Sequence, residues 1–116
     1  MNNKVNLKTL LSLLDGALEQ KLALIAWLSL GIIESLAKGL LKPTDAVYIF
    51  FNAENSLFVR QALDEQNADA IMSHGVQLPD LFEALPTEEA QQEFQRELAK
   101  MRSLSLAILE QKQLAA

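Results

Sequence analysis

Apolar residues recur along this chain with the period of a helix, and the breaks between runs carry helix start and stop signals. Leu7, Leu10, Leu11 and Leu14 fall at i, i+3, i+4 and i+7 behind Asn6, a good N-cap, and predict a first helix over 7–14. Asp15-Gly16 predicts a break, because glycine weakens a helix and admits left-handed geometry. A second helix is expected over 17–38. Its middle, Leu22–Ile33, is apolar on every side except at Ser29, the pattern of a central core helix, with Trp27 packed inside. A bilayer span needs roughly 20 apolar residues, and this run stops between Lys21 and Glu34. Gly39 is the expected stop, and Lys42-Pro43-Thr44-Asp45 the next start.

The stretch from Val47 to Arg60 reads two ways. Val47-Tyr48-Ile49-Phe50-Phe51 is rich in strand formers, and Asn52–Asn55 could turn a hairpin. Helix is preferred, because the Pro-Thr-Asp start lies one turn upstream and no other segment offers a strand to pair with. Asn55 is then expected to cap a helix over 56–66, and Asn67 another over 68–74, ended by Gly75. Pro79-Asp80 opens a short helix over 78–85. The last helix is long, 87–112, with Ala90, Phe94, Leu98, Met101, Ser105 and Ile108 on one stripe, widened by Leu104 and Leu109. At about 1.5 Å per residue it spans nearly 40 Å, against about 27 Å for the diameter of a domain this size. Its end is expected to project and pack on a second copy. The fold class that follows is all-α: one domain over 1–116, a compact bundle of five to seven helices around the apolar helix 22–33, with a long C-terminal helix.

Composition narrows the possible functions. The chain has 116 residues, half of them hydrophobic, enough for a core without staples. Cysteine is absent, which removes disulfide, zinc-thiolate and cysteine-nucleophile chemistry. The N-terminal region lacks the layout of a signal peptide, and a cytoplasmic location is expected. Net charge is −5, and from Pro43 to Gln95 ten acidic side chains face a single basic one, Arg60. Such a region repels a phosphate backbone, so nucleic acid and anionic membranes are not expected partners, whereas a basic protein surface is.

Candidate chemistry is sparse. His74 is the one histidine, and Asp69 and Asp80 are near it in sequence, but residues five apart on a helix face different directions. Glu65 with Asp69, and Glu89 with Glu93 and Glu97, carry i, i+4 carboxylates that could hold a divalent ion. Helix-borne metal sites recruit histidine or a second acidic helix, so solvated acidic faces are the simpler reading, with no catalytic residue, metal or cofactor expected. No glycine-rich phosphate loop or basic, aromatic-interleaved patch is present. Tyr48, Phe50, Phe51 and Phe58 cluster. On one helix Phe50 and Phe51 would diverge by about 100°, which could bring one to the surface.

The stretch Leu30-Gly31-Ile32-Ile33-Glu34-Ser35-Leu36, followed by Gly39-Leu40-Leu41, Pro43-Thr44-Asp45-Ala46 and Phe51-Asn52, resembles a family of small helical bacterial proteins with a domain of unknown function. His74-Gly75-Val76-Gln77-Leu78-Pro79-Asp80-Leu81 is similar to that family's second landmark, a Gly–acidic–Leu–acidic–Asp turn, with Gln77 and Pro79 in place of its acidic residues. The resemblance covers about the middle half of the chain. It implies a small helical fold and no activity.

Three functions remain. The first is a non-catalytic interaction domain that binds a basic protein through an acidic or aromatic face, Tyr48, Phe51, Phe58, Glu89, Glu93 and Glu97, with the long last helix offering a route to a homodimer. The second binds a small apolar ligand between helices, along 22–33. The third, an enzyme using Asp69, His74 and Asp80, requires those side chains to converge in a polar cleft.

Overall fold

In the computed structural model the described residues are 4–14 and 16–115, with side chains described as far as Gln111. They form seven α-helices and no strand: α1 Leu7–Ser12, α2 Leu18–Ala37, α3 Pro43–Ile49, α4 Ala53–Phe58, α5 Gln66–Val76, α6 Leu78–Ala84 and α7 Thr87–Ala115. A π turn, Val59–Leu63, continues α4. The expected break before α2 is described at Gly16 and not at Asp15, which lies outside the described residues.

The hub of the bundle is α7. Its predicted stripe of Ala90, Phe94, Leu98, Met101, Ser105 and Ile108 is buried throughout, under α2, α5 and α6. At 1.5 Å per residue α7 is about 43 Å long, close to the longest extent of the molecule, 45 Å. Its stripe is covered within the chain as far as Ile108, so length alone does not call for a second copy.

α2 packs chiefly against α7, and its buried positions include Ala23, Ala26, Ser29, Ile33 and Leu36. The opposite side of α2 faces outward. Trp27, expected in the core, is 56% exposed, because one side of the helix suffices to cover α7 and an all-round apolar sequence does not choose which. By length and mean hydropathy, 1.3, α2 could cross a membrane, but 39% of that window is buried inside the molecule.

The end of α2 is a Schellman motif. Gly39 takes φ +72°, its N–H donates to Leu36 O (3.2 Å), and Leu40 N–H donates to Ser35 O (2.9 Å). Pro43 then occupies the first turn of α3, where its missing N–H costs nothing.

The ambiguous stretch is helical, with a break at Phe50–Asn52. The break turns both phenylalanines inward. Their rings meet edge to face, 5.1 Å apart at 84°, and both are fully buried. Asn52, not Asn55, caps α4, accepting from Asn55 N–H at 3.0 Å. Glu65, not Asn67, caps α5, accepting from Ala68 N–H at 2.7 Å. Gly75 does not end α5. It sits buried inside it, where an added Cβ would lie 2.4 Å from the Phe51 ring.

Asn55 becomes a buried hub. It receives Leu7 N–H on Oδ1 (3.1 Å) and donates from Nδ2 to Val5 O (2.8 Å) and Phe50 O (2.9 Å). Val5 N–H reaches Ile49 O at 2.8 Å, so the N-terminal segment is strapped across the α3–α4 corner.

Candidate functional site

The aromatic candidates separate. Phe51 is fully buried against Gly75 and offers nothing to a partner, which corrects its place among the surface candidates. Phe58 is partly buried against the core. Tyr48 is 49% exposed, with the Lys4 ammonium 5.0 Å above its ring.

The acidic series on α7 also splits. Glu97 lies at the α5–α7 contact, its side chain 15% exposed. His74 Nδ1–H donates to its Oε1 at 2.9 Å, and Lys100 Nζ lies 3.1 Å from its Oε2. Burial pushes the Glu97 carboxyl up, but the hydrogen bonds and positive charge of His74 and Lys100 outweigh it and hold the group below its ordinary value. Sequence reading missed this pairing: the partners are 23 positions apart, and no local spacing signals it.

His74 is therefore oriented by Glu97 and not by the acids near it in sequence. Asp69 pairs with Arg60 at 3.4 Å. Asp80 is exposed, and among the described residues no hydrogen bond or ion pair joins it or Asp69 to His74. A histidine–carboxylate couple is the orienting half of a catalytic triad, but no described hydroxyl is hydrogen-bonded to the imidazole as a nucleophile. No group of three or more histidine, aspartate or glutamate side chains among the described residues is placed to hold a metal ion.

Glu89 and Glu93 lie on a groove between α6 and α7. Leu81, Leu85 and Gln92 complete it with Arg96, around about 600 Å³. Glu93 is ion-paired with Arg96, while Glu89 is exposed and holds no ion pair among the described residues. The groove brings two leucines and two glutamates to one lining.

Two further clefts lie among the described residues. One, about 180 Å³, lies beside the π turn among Arg60, Asp64, Glu65, Gln66 and Asp69. Asp64 ends the π turn at φ 45°, a left-handed conformation uncommon for a residue with a side chain. The other, about 310 Å³, lies where the end of α2 meets α3, α6 and α7. Leu36, Ala37, Gly39, Leu41, Pro43, Phe82 and Phe94 line it, with Lys42, Gln91 and Gln95 as its polar groups. It is a recess between helices, lined by the end of α2 and by no residue of 22–33.

Comparison with known proteins adds no relative: no family model, curated protein or solved structure matches the chain.

Proposed function

We propose that this chain is a non-catalytic interaction domain that holds a basic segment of a protein partner in the α6–α7 groove. The observation that carries this reading is the side-by-side placement of the Leu81 and Leu85 side chains with the Glu89 and Glu93 carboxylates. A basic amphipathic helix would put leucines against Leu81 and Leu85 and lysines against Glu89 and Glu93. Glu89 is the key residue, because its carboxylate is not already neutralised within the chain. The acidic stretch around it, Pro43 to Gln95, would speed encounter with a positively charged partner.

The test is titration of the intact protein with a lysine- and leucine-containing amphipathic peptide, followed by NMR. Saturable shifts at Leu81, Leu85, Glu89 and Glu93 are expected. Binding should weaken with added salt, and Glu89→Lys should weaken it roughly tenfold, as expected when a favourable charge contact becomes a repulsive one. Shifts scattered over the whole surface, or a Glu89→Lys protein that binds as well as the parent, would refute the groove. Pairing of two copies along α7 would have to use residues off its buried stripe, such as Leu106, which is 43% exposed.

A further inference from the structure

The cleft at the end of α2 differs in charge from the π-turn cleft and the α6–α7 groove. Carboxylates line the π-turn cleft and the α6–α7 groove, and the cation in each is already paired: Arg60 with Asp69, Arg96 with Glu93. The 310 Å³ cleft has no carboxylate in its lining. Its one charged group, Lys42, is exposed and holds no ion pair among the described residues. In a chain of net charge −5 this is an unneutralised cation beside an apolar recess.

The recess is built by folding. The Schellman turn at Gly39 carries the chain off α2 and brings Leu41, Lys42 and Pro43 into the lining. Phe82 and Phe94, from α6 and α7, meet edge to face at 5.3 Å and join the same lining. Phe82 remains 37% exposed, and Leu40, next to the cleft along the chain, is 78% exposed. At Gly39 an added Cβ would meet nothing within 4 Å, so that edge is open. The volume is at the lower end of the range of small-molecule sites, about 300–1,000 Å³.

We infer that this cleft binds a small amphipathic carboxylate, an alkyl acid of medium chain length. The alkyl chain lies against Leu36, Leu41, Phe82 and Phe94, and the carboxylate meets the Lys42 ammonium at the mouth, with the Gln91 and Gln95 amides available as hydrogen-bond donors. Apolar burial supplies the affinity, and the missing carboxylate wall supplies the preference for an anion. A basic peptide has no reason to enter here, so this site stands or falls separately from the α6–α7 groove.

Octanoate and octanol are the probes, each titrated into the full chain and followed by NMR of the methyl and aromatic signals. Octanoate should shift Leu36, Leu41, Phe82 and Phe94 saturably and bind more tightly than octanol. Lys42→Ala, a change at an exposed position, should weaken octanoate about threefold to fivefold, as the loss of a solvent-exposed ion pair implies, and leave octanol unchanged. Phe82→Asp should weaken octanoate more than octanol. Equal affinity for acid and alcohol, or indifference to Lys42→Ala, overturns the assignment of a carboxylate. Absence of saturable shifts at the cleft overturns the site, as does saturation by a peptide ending in an apolar residue without any response to octanoate.

Discussion

Asn55 and Glu97 have local roles that sequence suggests and tertiary roles that it hides. Asn55 looks like a helix cap, yet its amide serves three backbone groups brought together from the N-terminal segment and the α3–α4 corner. Truncation would leave Leu7 N–H, Val5 O and Phe50 O without this partner in a buried place. Asn55→Ala should therefore cost about 2–4 kcal/mol in urea unfolding, from lost hydrogen bonds and stranded polar groups. Glu97 looks like one member of a solvated acidic row, yet it holds His74 and Lys100. Its carboxyl is held below the ordinary value of 4.5 in the folded chain, so the stability it contributes is complete above that value and is lost as pH falls through the lower folded one. Glu97→Gln should lower stability by about 1–2 kcal/mol at neutral pH, the scale of hydrogen bonds to a charged group. Its deficit relative to the parent should close in acid. A deficit that persists undiminished at low pH would show that the carboxylate charge is not what matters.

At the scale of elements, most helix starts and the long amphipathic stripe were legible, but the starts of α4 and α5 were misplaced, because Asn52 and Glu65 cap them and not Asn55 and Asn67. Pro43 and Gly39 act as local chemistry requires, and α7 buries the six predicted stripe positions, because a 3.6-residue period leaves little choice of face. Gly75 carries the opposite lesson. It reads as a helix stop and is instead a contact residue within α5, kept small by the Phe51 ring. Gly75→Ala raises helix propensity, so local chemistry alone predicts a gain of up to about 1 kcal/mol. The clash predicts a net loss of about 1–3 kcal/mol from overpacking, and a melting temperature below the parent's would decide for packing. α2 shows why an apolar run is a poor guide to orientation. With hydrophobic residues all round, nothing in the sequence says that Ala26 and Ser29 are buried while Trp27 faces out.

The whole molecule is one bundle assembled on α7, and buried residues from α1, α2, α3, α5, α6 and α7 share a single core cluster. Cooperative unfolding follows from that sharing. Far-UV circular dichroism and methyl NMR signals from α2 and α5 should report coincident transitions in urea, whereas separate midpoints would show that the core is not one unit. The sequence by itself determined the all-helical class, most helix starts, the buried face of α7 and the concentration of acid between Pro43 and Gln95, because each depends on residues adjacent or one to two turns apart. Only the tertiary structure decided that His74 meets Glu97, that Phe51 is spent on Gly75, that Asn55 straps the N-terminal segment and that Lys42 borders an apolar recess. Those outcomes depend on how helices far apart in sequence lie against one another, and periodicity, which fixes a face of each helix, does not say which partner that face will meet.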